Sequence, residues 1–178
     1  MRHVGVHVRR AGGCSAPPLN CVRFLPDVIV QISLVDFAPA HVDELVTMWR
    51  ASFEAAVGVR EPHTVEQQRA YVLETVAPSN RVLVALVGGR LVGFIAASNE
   101  RIDQLYVHLD YQGIGIGSRL LQWAKDNSRG RLSLFTFERN DRAQKFYEAR
   151  GFRIIGRGFE ENWQLPDIRY EWNRVPGI

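Results

Sequence analysis

The stretch Ile102-Asp103-Gln104-Leu105-Tyr106-Val107-His108-Leu109-Asp110-Tyr111-Gln112-Gly113-Ile114-Gly115-Ile116-Gly117-Ser118 decides how the rest of the chain is read. Ile102 to Val107 reads as a strand. A helix is expected from about Ser118 to Ser128, with Leu120, Leu121 and Ala124 on its buried face. Between them lie glycines at 113, 115 and 117. A glycine-rich turn between strand and helix lets several backbone N–H groups converge on one anion, and the helix N-terminus adds partial positive charge. Side chains at those positions would obstruct the approach. The segment therefore reads as a diphosphate cradle, although glycines after a strand also make ordinary tight turns.

Two other phosphate loops do not fit. The nucleotide-hydrolase loop requires Gly-Lys-Ser/Thr, and Gly117-Ser118-Arg119 has no such lysine. The dinucleotide fold requires G-x-G-x-x-G and an acid ~20 positions on. Here the pattern is G-x-G-x-G, and Phe135 to Phe137 offer no carboxylate.

Upstream, Val28 to Val35 reads as a strand, and Pro39 opens a helix with Val42, Leu45, Val46, Trp49 and Phe53 on one face. A second helix follows Thr64, which forms a capping box with Gln67 and is expected to bury Val65, Val72 and Val76 or their neighbours. Arg81 to Val87 and Arg90 to Ala97 flank Gly88-Gly89, a hairpin signal because mirror-image turns need positive φ. Downstream, Leu132 to Phe137, Phe152 to Ile155 and Ile168 to Trp172 read as strands, with a helix from Asp141 to Arg150. Strands that first meander and then alternate with helices imply an α/β domain, a mixed sheet of about seven strands with helices on both faces.

Asn140 is placed to cap the Asp141 helix, on which Ala143, Phe146, Tyr147 and Arg150 recur at helical spacing before Gly151 stops it. By itself Phe146-Tyr147 reads as a core aromatic pair before it reads as a catalytic site.

The chain has 178 residues and a formal net charge of +3, which suits one domain with a real core. Residues 1–26 carry Arg2, Arg9, Arg10 and Arg23 and no acid, so the remaining body is close to neutral. Nothing in that body asks for nucleic acid, and no run is long enough to span a bilayer. Residues 1–27 read as an irregular or disordered basic extension and 28–178 as the functional domain. Both cysteines, Cys14 and Cys21, lie in the extension, so a disulfide framework is excluded and the cytoplasm is the expected compartment. His3, His7, Cys14 and Cys21 match no zinc module, and no metal is expected. The tail's arginines also leave a transit peptide or a nucleic-acid arm conceivable, without an amphipathic helix to support the former.

Taken together, Gln112-Gly113-Ile114-Gly115-Ile116-Gly117 and Asn140-Asp141-Arg142-Ala143-Gln144-Lys145-Phe146-Tyr147-Glu148-Ala149-Arg150-Gly151-Phe152 closely resemble the GCN5-related N-acetyltransferase (GNAT) family. The first run fits that family's Q/R-x-x-G-x-G/A signature, the second its N-x-x-A-x-x-F-Y-x-x-x-G-F signature, and the element order matches over roughly residues 30–173. Leu109 departs, standing where the family often has proline.

The resemblance implies the acyl-CoA N-acyltransferase fold, with a mostly antiparallel sheet, and acetyl-CoA as cosubstrate. It implies that backbone groups of Leu105, Tyr106 and Val107 meet the pantetheine arm, in a slot where the strands ending at Val107 and Phe137 splay apart. Gln112, Gly113, Ile114, Gly115, Ile116, Gly117 and Ser118 would hold the pyrophosphate, and Asn140, Phe146 and Tyr147 would complete the cofactor site. The Leu105 N–H would meet the thioester carbonyl, and Tyr147 would protonate the leaving thiolate. Because only a neutral amine attacks, a base is needed. Glu100, Asp103 and Glu54 are the candidates, with Glu100 placed first, although each also fits a solvated surface charge. The acceptor would lie between Ser52 to Thr64 and a loop from Arg157 to Asp167, whose Glu160, Glu161 and Asp167 could attract a cation. The expected partners are acetyl-CoA and an amine; a homodimer is compatible with the family, and no residue fixes its interface. A non-catalytic acyl-CoA sensor is the alternative, and it need not keep Tyr147.

Overall fold

The computed structural model describes residues 30–175. Seven strands form: β1 Ile32–Asp36, β2 Arg81–Val87, β3 Arg90–Ala97, β4 Ile102–Val107, β5 Arg131–Phe137, β6 Arg153–Glu160 and β7 Leu165–Asn173. The helices are α1 Val42–Val57, α2 Val65–Tyr71, α3 Ala77–Ser79, α4 Ile116–Asp126 and α5 Asp141–Glu148, with a π turn Val72–Val76 joining α2 to α3. The strands pair antiparallel in two ladders, β1-β2-β3-β4 and β5-β7-β6. The ladders meet in parallel fashion through the Arg101–Ser133 bridge. The α/β architecture expected from the element order and the mostly antiparallel sheet implied by the resemblance are therefore both observed.

Strand β2 is apolar on both faces, which is what burial between two helical layers demands. Its Val84 lies with Phe94 of β3 beneath Leu45, Val46, Trp49 and Phe53 of α1 and Val72 and Val76 of the π turn. The opposite face, with Ala85, Val92 and Ile95, is covered by Ile116, Leu120, Leu121 and Ala124 of α4 and Tyr147 of α5. Each large apolar side chain so enclosed contributes on the order of 2 kcal/mol. The β2–β3 hairpin turns on Gly88 and Gly89, at φ 57° and 82°, as the Gly-Gly signal demands.

Several boundaries differ from expectation. Strand β1 begins at Ile32, and Val28 lies outside the described residues. Pro39 starts a 3-10 turn, Pro39–His41, before α1 proper. The Thr64–Gln67 capping box forms, but Val65, the first residue after the cap, points outward. Gln68 takes the buried place and accepts from Arg50 Nη1 at 2.6 Å. Helix α4 starts at Ile116, two residues early, because Gly115 at φ 94° provides its cap. Strands β6 and β7 are longer than their apolar cores suggested, so the expected Arg157 to Asp167 loop is mostly hairpin. Polar positions on an edge strand still satisfy the ladder, which hydropathy alone does not reveal.

Candidate active site

Strands β4 and β5 touch at one end and part at the other. Ser133 N–H donates to Glu100 O at 2.9 Å beside the Arg101–Ser133 bridge. The alternation of an antiparallel ladder then fixes what β4 offers beyond it. His108 N–H bonds Val92 O at 2.8 Å, so Tyr106, two residues back and opposite Phe94, also faces β3. Leu105 and Val107 consequently turn their backbone groups away from β3, into the gap. The Val107 carbonyl accepts there from Gln112 Nε2 at 2.8 Å and Ser52 Oγ at 3.2 Å. A groove of about 340 Å³ runs along this edge from Leu105 to Ser118 and is closed on its far side by α5.

At the groove's end, Gly113 and Gly115 have φ 85° and 94°, and a Cβ on either would point into open space. The left-handed backbone is the reason for glycine at both positions. Gly117 differs: it lies inside the first turn of α4, where a Cβ would stand 3.4 Å from the Phe146 ring. The first intrahelical bond is Arg119 N–H to Gly115 O at 3.0 Å, which leaves the N–H groups of the preceding turn without helical partners. Ile114 is exposed at the loop's tip, whereas Ile116 is buried in the core and contributes only backbone. Two arginines add positive charge: Arg142 and Arg150 both line the groove. Arg150 lies 3.9 Å from the Phe146 ring centroid and donates to Ser118 Oγ at 2.6 Å. Free main-chain donors, unobstructed glycines and guanidinium groups together suit a diphosphate.

Helix α5 supplies the wall. Asn140 caps it, with Oδ1 accepting from Ala143 N–H at 3.1 Å, so only its Nδ2 is left to face the groove. The Tyr147 ring packs edge-on to Phe146 and Phe152 and is buried. Burial pushes its phenol well above the ordinary value, and the neighbouring Tyr106 adds to the rise. The group is therefore a neutral donor at working pH, and a weaker acid than a free phenol.

A second cavity of about 130 Å³ opens on the other side of Leu105, Tyr106, Asn140, Ala143 and Tyr147. Its walls are largely aromatic: Trp49, Phe53, Phe137 and Trp163 surround Tyr106. Phe53 and Trp163 are 4.5 Å apart at their centroids. The Tyr106 phenol is pushed up to about 12, chiefly by burial and further by the charge of Glu61, against a lowering bond from Trp49.

Most of the sequence-predicted residues converge on these two cavities. Leu105, Tyr106, Val107, Gln112, Gly113, Gly115, Gly117, Ser118, Asn140, Phe146 and Tyr147 line the groove. Glu100 does not: it is exposed in the turn before β4 and paired with Arg129 at 2.9 Å. Asp103 reaches the aromatic cavity but is paired with Arg101. Glu54 accepts the Glu61 N–H at 3.0 Å and lines neither cavity. Of the expected acidic loop only Trp163 reaches the cavity, while Glu160 caps the hairpin turn through the Trp163 N–H at 2.8 Å. The sequence reading missed Glu61, a loop carboxylate that becomes buried and lines the aromatic cavity. It also gave no role to Arg142 or to Arg150. Nothing local marks them, since their placement depends on which elements pack nearby.

Among the described residues no group of three or more His, Cys, Asp or Glu is placed to hold a metal ion, and no helix is long and apolar enough to cross a membrane. His3, His7, Cys14 and Cys21 lie outside the described residues.

Residues 50–172 match the acetyltransferase (GNAT) domain, and the chain belongs to that family of acetyltransferases, whose cosubstrate is acetyl-CoA. The peptidyl-lysine N-acetyltransferase YjaB of Salmonella typhimurium is 30% identical over 119 residues, covering 65% of this chain and 79% of that one. The solution structure of apo YjaB from Escherichia coli superposes with a TM-score of 0.67 at 23% identity, covering 82% of this chain and 99% of that one. The structure of yncA from Salmonella typhimurium with its cofactor acetyl-CoA gives 0.64 at 15% identity, covering 82% and 95%. Membership decides for an enzyme over a non-catalytic sensor.

Proposed function

We propose that the enzyme transfers acetyl from acetyl-CoA directly to a primary amine, with the ε-amino group of a lysine as the preferred acceptor. The observation that carries this reading is that two cavities meet at one strip of residues, Leu105, Tyr106, Asn140, Ala143 and Tyr147. One cavity ends in a cradle suited to a diphosphate; the other is narrow and aromatic, as a cationic alkyl amine requires. The lysine acceptor is supported by the name of the Salmonella relative.

In this reading the pantetheine arm lies along β4 as an added strand, bonded to the backbone of Leu105 and Val107 and to Asn140 Nδ2. The amides of Gly113 to Ser118 hold the pyrophosphate. Gln112 acts on the strand instead, through its bond to the Val107 carbonyl. The Leu105 N–H meets the thioester oxygen as charge develops, a contribution on the order of 3 kcal/mol. Tyr147 gives its proton to the departing sulfur and regains one from the nitrogen. A weak acid can do this when thiolate charge and nitrogen deprotonation develop together. We place the enzyme in the cytoplasm, where a domain without cysteines loses nothing to reducing conditions.

Calorimetry with acetyl-CoA, followed by CoA-thiol release with lysine peptides, polyamines and amino acids, tests the reading. Uptake and amine-dependent thiol release are expected. A folded protein that takes up no acetyl-CoA at millimolar concentration would overturn it.

A further inference from the structure

Glu61 is unusual among the acids of the aromatic cavity. It stands in the loop between α1 and α2, yet its side chain is only 3% exposed. Its Oε1 receives the backbone N–H of His63 at 3.2 Å and faces His63 Nδ1 at 2.6 Å. Both side-chain contacts fall on Oε1, Oε2 makes no hydrogen bond among the described residues, and Glu61 lines the aromatic cavity. No arginine side chain neutralises this carboxylate. Arg50 instead donates to the backbone carbonyls of Glu61 and His63 and to Gln68. The loop is further held by Glu54, which accepts the Glu61 N–H. A buried carboxylate with one oxygen held and the other without a hydrogen bond, at a cavity of aromatic rings, is costly unless something cationic uses it.

We infer that Glu61 is the group that binds the acceptor as its ammonium and removes the proton that blocks attack, with His63 as a positioning residue. The inference rests on the acetyl-transfer reading above and names its base. Oε2 takes one proton from the ammonium and later returns it to solvent. The freed lone pair forms the N–C bond, the C–S bond breaks, and the second proton lost by nitrogen balances the one gained by sulfur through Tyr147. The His63 Nδ1–H fixes Oε1, so that Oε2 is the oxygen presented. The titratable and charged groups around it are His63 on its own loop, Glu54 and Arg50 on α1, Asp103 and Tyr106 on β4, and Tyr147 on α5. Asp103 is paired with Arg101, and both phenols stay neutral through burial. Glu61 is therefore the cavity carboxylate without an arginine partner that a cation meets on entering.

The test compares wild type with Glu61→Gln and His63→Gln, using a lysine peptide as acceptor from pH 7 to 9. Glu61 does not line the groove, so Glu61→Gln should bind acetyl-CoA within about twofold of wild type, while its kcat/KM for the peptide at pH 7 falls at least about 100-fold. The variant can use only free amine, of pKa ~10.4, so its rate should climb about tenfold per pH unit. Wild type, which accepts the ammonium, should climb less steeply. His63→Gln should move both quantities the same way by a smaller factor. Turnover by Glu61→Gln within twofold of wild type, with a parallel pH slope, overturns the inference while leaving acetyl transfer standing. If Glu61→Gln does not fold, wild-type rate and slope in His63→Gln overturn it instead. No acetyl-CoA uptake by wild type removes both readings.

Discussion

Arg150 Nη2 donates to Ser118 Oγ at 2.6 Å, tying the end of the helix that carries Tyr147 to the first turn of the helix that begins at the glycine cradle. The same guanidinium lies over the Phe146 ring and donates to the Phe146 carbonyl at 2.9 Å. One side chain thus links the glycine bend to the α5 wall of the groove. Arg150→Met keeps much of the apolar stem while losing the charge and its donors. It should weaken acetyl-CoA binding about tenfold, equivalent to one charge-assisted hydrogen bond, measured by calorimetry.

Tyr147→Phe preserves the ring contacts with Phe146 and Phe152 and removes only the hydroxyl. Acetyl-CoA affinity should stay within a few-fold, and turnover should drop at least about tenfold, the low end of general-acid effects. Unchanged turnover in a steady-state assay takes Tyr147 out of the chemistry.

Gly115 and Gly117 are glycine for different reasons. Gly115→Ala places a Cβ at φ 94°, a strain that should cost about 1–2 kcal/mol of stability and shift the amides of the bend. Gly117→Ala meets the Phe146 ring at 3.4 Å on an ordinary helical backbone, so its cost should be smaller and carried by packing. Denaturant melts with and without acetyl-CoA separate the two. Gly115→Ala should lose more ligand-induced stabilisation than Gly117→Ala.

The buried phenols make stability fall at alkaline pH. Burial raises Tyr106 to about 12, raises Tyr147 further, and raises Tyr170 to about 12 with help from its bond to Glu148. A group whose folded value is raised contributes stability that is full below the unfolded value, ~10 for tyrosine, and lost as pH climbs through the folded one. Unfolding free energy should therefore be insensitive to these groups below about pH 10 and decline above it. Tyr106→Phe should make that decline shallower, as read from urea titrations between pH 9 and 11.

Much of the fold was legible because its signals are local. The period of Val42, Leu45, Val46, Trp49 and Phe53, the Gly88-Gly89 turn and the Thr64–Gln67 box each depend on a few neighbouring residues, and each formed as read. Boundaries slipped where tertiary contacts extend an element past its apolar core, as in β6 and β7, or where a left-handed glycine starts a helix early, as at Gly115.

By itself the sequence determined the order of elements, the glycine bend before α4, and the Asn140 to Phe152 helix motif, since these are written in spacing along one segment. Tertiary structure alone decided which carboxylate lines the aromatic cavity without an arginine partner. Glu100, Asp103, Glu54 and Glu61 look alike along the chain; Arg129 and Arg101 pair with the first two, the Glu61 backbone occupies the third, and the loop between α1 and α2 buries Glu61 against the cavity. Charge pairing and burial are properties of neighbours distant in sequence, so no local pattern can carry them.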